Sequence, residues 1–117
     1  MSDPFHQDIK NIEALCILMM ISDSHIDDRE IITIHKIMKE IGIDTFSEDD
    51  FFDLVIDLDS EIKTSGLKKT IINYGEQISK KSRNQCLDYL IQVMNSDGYV
   101  RDNEEFVINE LKTIWNI

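Results

Sequence analysis

A single proline, Pro4, and only four glycines in 117 residues leave the chain few places where it must break. Both residues are costly inside helices, so their scarcity permits long helical segments. No stretch alternates apolar and polar residues as a half-buried strand requires. Cysteine is scarce too. Cys16 and Cys86 stand among apolar residues without a short metal-ligand spacing, which excludes a disulfide framework and a zinc site. Both are expected as buried, reduced thiols. Long apolar runs are missing: the longest, Ala14–Ile21, has eight residues, against the roughly 20 that span a bilayer. The N-terminus lacks the basic, apolar and small-residue series of a secretory signal. The expectation is a cytoplasmic protein with no direct membrane insertion. Basic residues are few as well. Twelve Lys and Arg stand against 23 Asp and Glu, a formal net charge of −11. That balance repels nucleic-acid phosphate and anionic lipid. The small basic spots at Lys68–Lys69 and at Lys80–Lys81 with Arg83 are too short to reverse it and are expected as solvated helix ends or faces. A cation or a basic protein surface suits the charge better.

What is present is apolar residue at helical spacing. At 42% hydrophobic and 30% charged the chain is expected to fold around one core as a single domain, residues 1–117. Asp3 and Pro4 read as N-cap and first residue of a helix that carries Phe5, Ile9, Ile12, Cys16 and Met19–Met20 to about Ile21. Asp27 caps a second helix, with Glu30 at its third position in the form of a capping box. Ile31, Ile34, Met38 and Ile41 make its apolar stripe, widened by Ile32 and Ile37, and Gly42 is its natural stop. Ser47–Asp50 opens a third helix with Phe51, Leu54, Val55 and Leu58 inward. The polar stretch Asp59–Gly66 is expected to interrupt it, with part of the stretch still helical. A fourth helix covers Leu67–Ile78, Ser79–Ser82 breaks the chain, Arg83–Asn95 is a fifth helix, and a sixth ends near Trp115. The fold class is all-α, a compact bundle of about six helices.

Residues 20–30 return 74 positions later as residues 94–104. Ser22, Asp23, Asp28 and Glu30 align with Ser96, Asp97, Asp102 and Glu104 without a gap. Beyond them Ile32 keeps step with Phe106, Ile34 with Ile108, Ile37 with Leu111 and Ile41 with Trp115. One helix–acidic turn–helix unit is therefore written twice, as halves over about 5–43 and 79–117 with an inserted pair of helices over about 47–78.

The repeated acids admit two roles. Asp, aliphatic and Glu at Asp23, Ile26, Glu30 and at Asp97, Val100, Glu104 fit the second half of an EF-hand loop. Met19 and Ile21, and later Val93 and Asn95, stand where its other ligands belong. A full EF-hand, with its 6–8 oxygens, is excluded. A partial site for a divalent cation, calcium or magnesium, would use Asp23, Glu30, Asp97 and Glu104 as ligands, with Asp27, Asp28 and Asp102 secondary. The other role is structural: Glu at the third helical position completes a cap near the positive end of the helix dipole, worth about 0.3–2 kcal/mol. Asp23 and Asp97 precede the cap and are not required by it. Side chains lean toward a helix N-terminus, which turns Glu30 back over the turn toward Asp23.

With Ser22-Asp23-Ser24-His25-Ile26 through Glu30, and Ser96-Asp97-Gly98-Tyr99-Val100 through Glu104, the chain resembles the TerB-like family. That family's motif is a small residue, Asp-Gly, any residue, an aliphatic, a few polar residues and Glu, between two helices. The resemblance implies an all-α domain connected with tellurite and stress resistance, often beside membrane partners, and divalent-cation binding at the acidic turns. Ser24 replaces the usual glycine, and Arg101 puts a positive charge where a cap is usual.

No chemistry of an enzyme is readable. His6, His25 and His35 are scattered, without a His-Glu-x-x-His zinc motif, a phosphate loop, a nucleophile elbow or a Cys/His pair. His25 lies inside the first turn, but Tyr99 replaces it in the second, and His35 is expected at the surface. The chain is read as non-enzymatic. Without a metal, such an acidic domain would dock a basic or membrane-associated protein partner. Phe51 and Phe52 are both expected in the core, and Trp115 is expected to anchor the last helix.

Overall fold

The apolar run that closes the first helix becomes the centre of the fold. The computed structural model describes residues 4–22, 26–41 and 48–117. Among them six α-helices and one 3-10 turn follow in order: α1 Pro4–Ile21, α2 Asp28–Ile41, α3 Glu48–Ser65, α4 Leu67–Gly75, the 3-10 turn Lys80–Ser82, α5 Arg83–Asn95 and α6 Asp102–Trp115. No strand occurs among the described residues. α1 is touched by all five other helices and by the 3-10 turn. Accordingly Leu15, Cys16, Ile17, Leu18, Met19 and Met20 are all buried, on every side of the helix. A helix apolar all round is one that the rest of the domain encloses. No described helix is long and apolar enough to cross a membrane. The radius of gyration is 13.1 Å, about that of a single compact domain of this length.

Around α1 the stripes read from the sequence are mostly in place. Ile34, Ile37 and Met38 of α2, Leu58 of α3, Ile71 of α4, Cys86, Leu87 and Leu90 of α5, and Val107, Ile108 and Leu111 of α6 are buried. Cys16 and Cys86 are free thiols in that core. Four expectations need correction. The fourth helix stops at Gly75 rather than Ile78, because the Gln77 and Ile78 N–H groups bond only three residues back, to Tyr74 O and Gly75 O. The expected interruption over Asp59–Gly66 shrinks to Gly66, since Asp59–Ser65 continues α3 to its end. This segment contains no helix breaker, Ile62 packs against the core, Lys63 pairs with Asp59 at 2.9 Å, and the Tyr74 hydroxyl of α4 donates to Glu61 at 3.2 Å. The break comes at Gly66, whose φ of 90° suits glycine. Ile32 is 63% exposed and Phe52 50% exposed, so neither belongs to the core. His35 is half-buried rather than at the surface, edge-on to the Phe51 ring at 5.4 Å. The proposed cap Asp3 and the stops and caps at Gly42 and Ser47 lie outside the described residues, as do Asp23, Ser24 and His25.

One anchor was not readable in advance. Asp8 on α1 is buried, and its two oxygens accept hydrogen bonds from the Ser79 backbone N–H at 3.1 Å and the Ser79 hydroxyl at 2.6 Å. It thereby ties the break before the 3-10 turn to the central helix, across 71 residues. Asp8→Ala leaves two donors without their acceptor and is expected to cost about 2–3 kcal/mol. Urea unfolding followed by circular dichroism should show the midpoint falling accordingly. An unchanged midpoint would mean that water replaces the carboxylate there.

Candidate functional site

Each acidic turn starts from the end of a helix in the same way. The Ser22 hydroxyl donates to Met19 O at 2.9 Å, and its counterpart Ser96 donates to Val93 O at 2.7 Å. Both bonds close the last turn of the preceding helix. In the second turn Gly98 adopts a φ of 81° and swings the chain back, so that Asp97 is turned inward and only 1% exposed. Asp97 Oδ1 accepts the Tyr99 backbone N–H at 3.0 Å, the local bond by which Asp side chains shape turns. Asp97 Oδ2 is buried and receives no hydrogen bond. A buried carboxylate oxygen without a donor is costly.

The helices that leave the turns differ in their caps. Asp27 caps α2 through its Oδ1, which accepts the Arg29 N–H at 2.8 Å, and also holds the Arg29 guanidinium at 2.9–3.0 Å. Arginine offers no acceptor, so at α6 only half of a capping box exists: Glu104 Oε1 accepts the Arg101 N–H at 3.0 Å. Arg101 instead stands 5.9 Å from the Tyr99 ring centre. Glu30 and Glu104, each at the third position of its helix, are buried at 2% and 1% exposure. Ordinary capping glutamates lie at the surface of a helix end, and these do not.

A side chain of the second hairpin joins it to the first. Asn103 of α6 donates to Ser22 O at 2.7 Å, which reaches the end of α1. Arg29 of α2 has its guanidinium held above the ordinary range, first by hydrogen bonding to Asp27 and by that residue's charge, with smaller contributions from Asp97 and Tyr99. Asn103 thus reaches the first hairpin by a hydrogen bond, while Arg29 senses the second only through the charges of Asp97 and Tyr99.

Of the expected ligands, Glu30, Asp97 and Glu104 are all buried, while Asp28 and Asp102 are exposed and Asp27 is occupied by its cap and by Arg29. Asp23 lies outside the described residues. Among the described residues no three His, Cys, Asp or Glu side chains form a group able to hold a metal ion. Carboxylates at the second turn would thus need backbone oxygens, water or Asp23 to complete a coordination shell. The lysines of the basic spots are exposed as expected. Arg83 departs from its neighbours, being half-buried, 5.8 Å from the Trp115 ring centre and donating to Ile78 O.

A family model described as "Tellurite resistance protein TerB" matches residues 10–117. No curated protein and no solved structure matches the chain.

Proposed function

We propose, from the premise that this chain belongs to the TerB family, that it is a non-enzymatic helical module which takes up a divalent cation at its second acidic turn. The observation that carries this reading is Asp97 Oδ2, a carboxylate oxygen held away from water with no hydrogen bond made to it. Folding does not bury such an atom cheaply, and a cation would supply the missing partner. Glu104, buried one turn on and already fixed through the Arg101 N–H, is the second ligand. Two carboxylates suit an ion that keeps part of its hydration shell. Magnesium binds in that way, and calcium does so at weak sites. The first turn contributes Glu30 and, by its place in the repeat, Asp23.

Calorimetric titration with calcium, magnesium and manganese tests the reading. The wild type is expected to bind one of them with Kd of about 10⁻⁴–10⁻³ M. Asp97→Asn keeps an oxygen for the Tyr99 N–H but places an amide where Oδ2 stood, and should weaken uptake at least about tenfold, roughly 1.4 kcal/mol. Glu104→Gln preserves the half box, because glutamine also caps from that position, and should weaken uptake without a matching loss of metal-free stability. If the wild type shows no heat and no rise in melting temperature with any of the three ions, the acids serve the turns alone.

A further inference from the structure

The unused feature of this molecule is the outer side of α3. Phe52 is 50% and Ile56 64% exposed, and four residues apart they form one ridge along the helix. Beside Ile56 the surface dips into a groove of about 340 Å³ lined by Ile21, Ile26, Val55, Ile56, Asp59 and Lys63, with Ile26 itself half exposed. Acids flank the ridge: Asp49, Asp53 and Asp57 are all exposed, as is Asp50. The only cation of α3, Lys63, is already paired with Asp59. The negative field reaches the neighbouring helix as well, since Glu13 of α1 is held above the ordinary carboxylate range by burial and then by the charge of Asp50.

The geometry points to this face, Phe52 and Ile56 beside the row of Asp49, Asp53 and Asp57, as a docking surface for a cationic amphipathic helix of a partner protein. Apolar residues at i and i+4 on the partner seat on the ridge and in the groove, and its Lys and Arg meet the flanking carboxylates, as in helix-in-groove recognition. Charge chooses this occupant over the others. A second copy would set the same aspartates against each other in a chain of net charge −11, and an anionic bilayer is repelled for the same reason. The surface lies on α3 and needs no cation in the second turn, so it stands or falls apart from the cation reading.

The probe is a synthetic 14-residue peptide of leucine and lysine with its leucines on one helical face. Its controls are an isomer with the same residues shuffled off that face and a version with glutamate in place of lysine. Binding is measured by calorimetry and located by amide chemical-shift changes. The facially ordered peptide should bind at least about tenfold more tightly than the shuffled one, with shifts centred on residues 49–63, and the acidic version should not bind. Phe52→Ser combined with Ile56→Ser should weaken binding at least about tenfold, as loss of central apolar anchors does. Because both side chains are exposed, melting should barely change. Asp53→Asn with Asp57→Asn should weaken binding and flatten its salt dependence, whereas removing the same charge at Glu76 and Asp88 should not. Equal affinity for ordered and shuffled peptides would overturn the proposal. So would an affinity untouched by the Phe52 and Ile56 changes, or a sedimentation dimer of the wild type that those changes dissolve, or binding to phosphatidylserine vesicles that they abolish.

Discussion

Raising the pH from about 8 to about 10.5 is expected to remove at least about 2 kcal/mol of folding stability, through buried thiols that cannot ionise where they are. Cys16 and Cys86 are fully buried on α1 and α5. Burial pushes Cys86 up to about 12, aided by the charge of Asp8. Cys16 is raised well above its ordinary value, first by burial, then by Cys86 and Glu13. In the unfolded chain both thiols release their protons near pH 8.5, whereas the folded chain retains them. Above that pH the unfolded state therefore binds fewer protons, and stability must fall as pH rises. For Cys86 the contribution is whole below about pH 8.5 and is lost progressively toward pH 12, at roughly 1.4 kcal/mol per pH unit, and Cys16 adds to it in the same direction. Tyr74 and Tyr89, both raised mainly by burial, steepen the loss at its upper end.

Denaturant midpoints measured between pH 6 and pH 10.5 check this. The wild type should be level to about pH 8 and then descend. Cys16→Ala with Cys86→Ala starts less stable, because cavities open in the core, yet should lose little over the same interval. Alanine is the right replacement, since a serine hydroxyl would need a partner there. If wild type and double variant descend in parallel, the alkaline loss belongs to other groups.

How much of this was legible in the sequence depends on the range of the forces involved. α5 was read to its observed ends, Arg83 and Asn95, because its limits are set by neighbours close in sequence. The cap at Asp27, which accepts the Arg29 N–H, was likewise a local pattern. The end of α3 was not, because single polar residues at 59–65 look like a loop until Ile62 packs on the core and Tyr74 reaches Glu61. Phe51 and Phe52 are alike as residues but stand about 100° apart on a helix. Only the first faces inward, where it is 2% exposed.

At the acidic turns the division is the same. Residue types and spacing pointed to Asp97 and Glu104 before any coordinates. Their burial was not readable, because it depends on packing between parts far apart in sequence, such as Asn103 against Ser22 across 81 residues. Asp8 is the extreme case: a carboxylate in an apolar helix has no sequence sign of a serine 71 residues away. Local hydrogen bonding was visible in the sequence, and the packing that gives those groups their chemical character was not.

Trp115→Ala is expected to lower the melting temperature by roughly 12–20 °C, the result of about 3–5 kcal/mol lost from a domain of this size. The ring is 5% exposed, and its Nε1–H donates to Gly75 O at 2.8 Å, so α6 is fastened to the end of α4. Gly75 permits that approach: a Cβ there would stand 2.6 Å from Leu111 Cδ2 and 2.7 Å from Ile114 Cδ1. Just beyond the ring the helix closes with Asn116 in the left-handed conformation, while Ile117 N–H bonds to Lys112 O at 3.0 Å and Asn116 N–H to Thr113 O at 3.3 Å. This is a Schellman closure, and it holds the tryptophan at a fixed end. Trp115→Phe separates packing from hydrogen bonding. It keeps most of the apolar bulk, and Gly75 O still accepts the Ile78 N–H at 3.2 Å, so the loss should be only about 1–2 kcal/mol. Thermal melts by circular dichroism distinguish the cases. Equal losses in the two variants would mean that the single bond to Gly75, rather than the buried ring, holds α6 to the rest of the protein.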